Sequence, residues 1–385
     1  DAELFVLSEK EGVVGRSDLE NGEIPFPQPL SIPDGNTPVA MNLVNLEHGP
    51  HVAVVAKNGR DYILYLIDMK GERETISLGS QSRSPDTILA IDADQNGQTD
   101  LLLLTRDKPM TMLLAQDKGF KLMESKDMGQ FGLVQAANAD NTAVYDMDGD
   151  SKPDLLIADK NFVRAVRYET SPPAGVSPGW QVVSQINVKD PTSKLVSATV
   201  LGNRIVAADK ENSRLVIVSR NGDRWQEDES LNIKGFSPDS IYAGAFAGDK
   251  EEDILAVNNT GFAVIRLSGT HTGLKEIAGW RTTEERRLEH ELSTGDLNSD
   301  GFTDMVALDA GEQMCEIFTF TQAEKMLYVL GFKVFESRLF SGGDPREFEP
   351  SDAIIADVTG DGANDLILLA HDRILLYPQM IKPKQ

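Results

Sequence analysis

One segment of about 50 residues recurs seven times along this chain, and the fold must be one that stacks such units. Four copies share a template: a short apolar strand, then D-x-[DNT]-x-[DN]-x-x-x-D, then a second apolar run. The polar stretches are residues 92–100, 146–154, 296–304 and 357–365, and they lead into Leu101–Leu104, Leu155–Ile157, Met305–Leu308 and Leu366–Leu369. Weaker copies lie at residues 42–51, 201–204 and 245–253. The last loop position of each copy falls at His51, Asp100, Asp154, Arg204, Asp253, Asp304 and Asp365, at spacings of 49, 54, 50, 49, 51 and 61 residues. Spacing this regular, kept where the acids have been lost, makes the repeat architectural first.

Within a unit the pattern reads as four short strands. In the second unit these are Thr87–Ile91, Asp100–Thr105, Met110–Ala115 and Gly119–Met123, parted by turn-forming Asp, Gly, Lys and Pro. One such sheet leaves both faces bare, so neighbouring units must supply the core. The expectation is an all-β β-propeller of seven four-stranded blades, forming one domain over residues 1–385. The repeat units are residues 38–86, 87–140, 141–194, 195–239, 240–288, 289–350 and 351–380. The last unit offers only Asp352–Asp357, Asp365–Ala370 and Arg373–Tyr377, while the first 37 residues hold surplus strand-like pieces at Leu4–Ser8, Gly12–Arg16 and Glu23–Ile32. One of these is expected to complete the last blade and remove two exposed edges. Because the surplus exceeds one strand, eight blades is the alternative count.

The four acidic loops have the chemistry of a hard-cation site. Ca²⁺ takes six to eight oxygens, and alternate positions of a tight loop turn theirs inward. Side chains at positions one, three, five and nine are Asp92, Asp94, Asn96 and Asp100; Asp146, Asp148, Asp150 and Asp154; Asp296, Asn298, Asp300 and Asp304; and Asp357, Thr359, Asp361 and Asp365. Position seven, occupied by Gln98, Lys152, Phe302 and Ala363, would give a backbone carbonyl, for which side-chain identity does not matter. Gly97, Gly301 and Gly362 stand at position six, where the chain turns sharply. An EF-hand is excluded, because its position twelve requires a bidentate Glu and here holds Leu103, Ile157, Ala307 and Leu368 inside apolar strands. Up to four structural calcium ions are expected, and none in the degenerate loops.

These units resemble FG-GAP/VCBS repeats, the calcium-loop propeller repeats of integrin α-subunit heads and many exported bacterial proteins. The resemblance covers residues 38–378, and the F-G and G-A-P signatures of the integrin type are not evident. It implies calcium in the hairpin between the first two strands of a blade and an extracytoplasmic setting, closer to the bacterial exported type.

Composition narrows the partners. A formal charge of −24 argues against nucleic acid as a partner, and thirteen acids fall in the four loops. No apolar run approaches the roughly 20 residues of a membrane span. The chain opens at Asp1 with no signal-peptide pattern, as a processed or trimmed form would. The single cysteine, Cys315, lies among apolar neighbours and reads as a small buried hydrophobe. Trp180, Trp225 and Trp280 recur near the outer strand of successive units and read as packing residues.

The opposite end of each blade carries the turn between second and third strands. Basic residues, scarce in the chain beside its acids, are concentrated in those turns: Lys57, Arg60, Arg106, Lys108, Lys160, Lys210, His371 and Arg373. They form the candidate ligand face, for a protein or an anionic glycan. A long connection at residues 341–350 is a second place for function. Catalytic signatures are poor: His48, His51, His271, His290 and His371 are scattered, and neither H-E-x-x-H nor G-x-S-x-G occurs. The function expected is a calcium-binding scaffold for a protein or glycan; the alternative is a carbohydrate-active enzyme of polysaccharide-lyase type.

Overall fold

A computed structural model of the chain describes residues 3–8, 12–18, 24–80, 82–172, 174–222, 224–233, 235–246, 252–258, 261–267, 274–281, 291–309, 313–321, 325–334, 350–370 and 373–379. The architecture is an all-β propeller of eight sheets, the count left open as the alternative. Blade 1 holds Glu3–Ser8, Val13–Asp18 and Gln28–Pro29. Blade 2 holds Thr37–Leu46, Gly49–Asn58, Asp61–Asp68 and Arg73–Ser80. Blade 3 holds Thr87–Ile91, Asp100–Leu104, Thr111–Ala115 and Phe120–Met123, within a residue or so of the expected bounds. Blade 4 is Thr142–Tyr145, Asp154–Asp159, Phe162–Glu169 and Gly179–Asn187. Blade 5 is Leu195–Leu201, Arg204–Asp209, Arg214–Asn221 and Arg224–Asn232. Blade 6 is Ser240–Gly244, Asp253–Asn258, Gly261–Leu267 and Leu274–Arg281. Blade 7 is Glu291–Gly295, Asp304–Asp309, Met314–Thr321 and Lys325–Lys333. Blade 8 has Asp352–Ala356, Asp365–Ala370 and Arg373–Tyr377. Strands follow one another in space as in sequence, every pair antiparallel.

The N-terminal strands do not join blade 8. They pair with each other as blade 1, whose Val14 packs on Val52, Val54, Tyr65 and Ile67 of blade 2. Gly12, at φ +67, turns the chain between the first two strands. A side chain at Gly15 would meet Pro27 at 2.6 Å, so the third piece can lie close only on a glycine. Ile24 packs against Val358 and Ile367 of blade 8 without extending that sheet.

Blades 1–5 form one compact unit, and blades 6–8 with the Asp18–Pro25 segment form another. In the first, the second strand of each blade explains the continuous apolar runs. Successive side chains of a strand point to opposite faces. Leu101 and Leu103 of blade 3 therefore enter the core shared with blade 2, while Leu102 and Leu104 enter the core shared with blade 4. Blade 4 repeats the division, with Leu155 and Ile157 facing blade 3 and Leu156 and Ala158 facing blade 5. A strand buried on both faces cannot alternate apolar with polar. In the second unit, Met305 and Ala307 face blade 6 and Val306 and Leu308 face blade 8. Trp180, fully buried, packs edge-on against Tyr168 at 5.4 Å. Cys315 is buried, and that burial pushes its thiol up to about 12, so it is inert packing as expected.

Because Leu102 sits between two sheets, Leu102→Ala should cost about 2–5 kcal/mol of unfolding free energy in a urea titration. Leu43→Ala, at a side chain 67% exposed, should stay within about 0.5 kcal/mol.

Candidate metal centre

Each acidic loop is the hairpin between first and second strands of its blade, and all four share one hydrogen-bond scheme. The position-five N–H donates to Oδ1 of the first aspartate: Asn96 to Asp92 at 2.9 Å, Asp150 to Asp146 at 3.2 Å, Asp300 to Asp296 at 3.2 Å, Asp361 to Asp357 at 3.1 Å. The position-six N–H, from Gly97, Ser151, Gly301 or Gly362, donates to Oδ2 of the same residue at 2.8–2.9 Å. The position-seven N–H donates to the side chain at position five at 2.7–2.9 Å. Position two closes the loop on the buried ninth residue: Ala93 to Asp100, Met147 to Asp154, Leu297 to Asp304 and Val358 to Asp365, at 2.7–3.1 Å.

The sequence marked position six as the sharp turn. The structure adds position four, so that Gln95 and Gly97, Gly149 and Ser151, Ser299 and Gly301, and Gly360 and Gly362 all have positive φ. At least one of each pair is glycine, where the left-handed region costs least.

Two groups of carboxylates among the described residues could hold a metal ion: Asp92, Asp94 and Asp100, and Asp146, Asp148 and Asp154. In each group the oxygens lie within 4.8 Å of one another. The ninth residue of every acidic loop is fully buried. Burial pushes the carboxyls of Asp100 and Asp154 up to about 6, with the neighbouring loop acids acting in the same direction; Arg167 partly offsets this at Asp154. Asp304 is raised for the same first reason. Asp100 has both oxygens satisfied, by Ala93 and Ala115 N–H groups, and Asp365 likewise by Val358, Thr359 and Gln379. Oδ1 of Asp154 and Oδ1 of Asp304 are buried without a hydrogen-bond partner. A buried ionised oxygen without a donor is costly, and a bound cation is the economical remedy. The residues present therefore fit a hard divalent ion.

Adjacent hairpins are tied together at positions seven and eight. In the first unit Gln95 Nε2 donates to Pro153 O at 3.4 Å, and Lys152 Nζ donates to Gln95 O at 2.9 Å. In the second, Thr303 Oγ1 donates to Ala245 O at 2.7 Å and Asn364 Nδ2 to Asp296 O at 3.0 Å. The degenerate loop of blade 6 keeps the buried Asp253, and there Arg266 supplies the positive charge, Nε to Oδ1 at 2.8 Å. In blade 2 the ninth residue is His51, in register with Asp68, beside a cavity of about 550 Å³ that His48, Glu72 and Glu74 also line.

The basic candidates stand where the register puts them, at the far end of each second strand. Lys57, Arg60, Arg106, Lys108, Lys160, Lys210 and Arg373 are all exposed. Arg106 pairs with Asp140 at 3.2 Å, and Lys57 lies over the Tyr62 ring at 6.0 Å. His371, His271, His290 and the 341–349 stretch lie outside the described residues.

This chain is an all-β propeller carrying preorganised acidic hairpins. No protein-family model matches it, and no curated protein matches it, so the FG-GAP/VCBS resemblance rests on the loops themselves. Among solved structures it is similar to a functionally unknown protein from Desulfotomaculum acetoxidans, at 13% identity and a TM-score of 0.47 over 84% of this chain and 94% of that one. It is also similar to the periplasmic gluconolactonase PpgL of Pseudomonas aeruginosa, at 13% identity and a TM-score of 0.47, covering 86% and 96%. No activity is carried over from either. No helix among the described residues is long and apolar enough to cross a membrane.

A carboxyl whose folded pKa is raised favours folding while protonated. In EDTA, Asp100 and Asp154 should therefore contribute stability fully below about pH 4, and that contribution should be lost as pH rises through about 6. Divalent cation should reverse the slope by stabilising the ionised loops, as read from thermal melts between pH 4 and 8.

Proposed function

We propose that this is an exported propeller whose acidic hairpins bind calcium as structural staples, and whose opposite face is a scaffold for a protein or glycan ligand. The unpartnered buried Asp154 Oδ1 and Asp304 Oδ1, set at the base of hairpins whose backbone N–H groups already orient the loop acids, carry the reading. Calcium suits them better than magnesium, because a flexible all-oxygen cage of carboxylates and carbonyls accommodates six to eight ligands, while magnesium keeps its waters. The carbonyls of Gln98, Lys152, Phe302 and Ala363 would complete each shell beside the side chains of positions one, three, five and nine. The two less acidic loops, with Asn298 and Thr359 at position three, follow the same scheme with fewer charges.

An extracytoplasmic setting follows from the same chemistry, since calcium there is concentrated enough to fill sites of modest affinity. On this reading the working surface lies at the blade ends remote from the acidic hairpins. There the exposed lysines and arginines of the second-to-third-strand turns are the cations an acidic glycan or protein would meet.

At tenfold excess over Kd, calcium should add about 1.4 kcal/mol per occupied site, seen as a rise in melting temperature that EDTA abolishes and magnesium matches only weakly. Identical melts in calcium and EDTA would sink the metal reading. For the ligand face, a glycan array with and without EDTA, followed by neutralising Lys57, Arg106, Lys160 and Arg373 together, should show binding without cleavage in the native protein and its loss in the variant.

A further inference from the structure

In blades 3, 4, 6 and 7 strand register places one residue of the third strand opposite the ninth loop position. From the pairings Leu101–Leu113, Leu155–Val166, Ile254–Ile265 and Met305–Phe318, one step further sets Asp100 against Leu114, Asp154 against Arg167, Asp253 against Arg266 and Asp304 against Thr319. In blade 6, where Ala245 and Ala247 have replaced acids and the metal ligands are gone, the opposing residue is an arginine bonded to the buried carboxylate. There the protein's own guanidinium does the work of an ion.

Blade 4 combines both arrangements. Its loop keeps all four acids, yet Arg167 stands at the place that Arg266 holds in blade 6. Arg167 does not bond Asp154. Its Nη1 lies 3.2 Å from Asp148 Oδ2 and 3.5 Å from Asp150 Oδ2, with Gln95 Oε1 of the neighbouring hairpin at 3.4 Å. Those are the oxygens the loop leaves over, since Oδ1 of Asp148 and of Asp150 already accept the Asp150 and Lys152 N–H groups. The oxygens free for a metal are thus the ones the guanidinium holds, while Asp154 Oδ1 waits unpartnered at the base of the loop. In blade 3 the opposing residue is Leu114, which has no charge to contribute.

We propose that Arg167 is a resident counter-cation of the 146–154 hairpin, which calcium must displace from Asp148 and Asp150 to bind. This rests on the calcium reading above. It makes the blade 4 site weaker than its ligand set alone implies, and sets it below the 92–100 site in order of filling. Calcium arrival frees the guanidinium from the loop acids, and through Gln95 the exchange reaches the adjoining hairpin.

The molecule carries its own reporter for this loop. Trp225 donates its indole N–H to Met147 O at 2.9 Å, close enough to sensitise terbium bound among residues 146–154. The experiment titrates each variant first with terbium and then displaces the terbium with calcium, read by tryptophan-sensitised emission; the calcium midpoint is corrected for that variant's own terbium affinity, and Trp225→Phe marks the part of the signal that belongs to this loop. Removing the guanidinium should lower the calcium midpoint of that signal roughly tenfold at low ionic strength in Arg167→Leu, the residue type of blade 3. Arg167→Gln, which keeps the polarity and most of the bulk, should shift it in the same direction, and Arg167→Lys should stay near the native value. The proposal is overturned if Leu and Gln variants that melt cooperatively in EDTA leave the midpoint unchanged or raise it. If the native protein shows no Trp225-dependent emission that calcium displaces, the calcium reading fails and Arg167 loses this role with it.

Discussion

A carboxylate buried at the head of the second strand is the constraint on which the rest of this structure turns. Asp100, Asp154, Asp253, Asp304 and Asp365 all open that strand with no solvent exposure, between sheets packed too closely to admit bulk water. Such a group needs donors, a cation, or a proton. The five blades use different combinations. Asp100 and Asp365 are met by backbone N–H groups, Asp253 by Arg266, and Asp154 and Asp304 keep one oxygen open. The hairpin above each is arranged around the answer.

The same strand supplies the adhesion between blades. Its side chains alternate between two neighbouring cores, so nearly all its apolar residues are buried, and within each compact unit neighbouring sheets share an apolar layer. This is why the repeat survives where the acids do not. Losing a metal ligand changes one hairpin, whereas losing a strand would bare the faces of two sheets. The polar work is accordingly concentrated at strand ends, with the acidic hairpins of blades 3, 4, 7 and 8 at one end and exposed lysines and arginines in the opposite turns of blades 2, 3, 4, 5 and 8.

Much of this could be read from the chain alone. The period, the four acidic loops, the strand bounds of blade 3 and the inert character of Cys315 all follow from local patterning, because hairpins and two-sided strands leave their marks within a few residues. The N-terminal pieces were harder. Their strand character was visible, but their pairing was not, since an exposed edge on blade 8 and a self-contained sheet make equal demands on sequence. Packing of Val14 on blade 2 decided it.

Sequence by itself determined the repeating unit, the identity of every acid at the hairpins, and the exclusion of an EF-hand. Those are properties of residues close together in the chain, where spacing is geometry. Only the tertiary structure decided which oxygens stay unsatisfied and which cation faces them. Arg167 lies 13 residues beyond Asp154 and Arg266 lies 13 beyond Asp253, a separation that means nothing until the intervening turn is folded and the register set. Charge compensation acts through space, across strands and between blades, and so it could not be read along the chain.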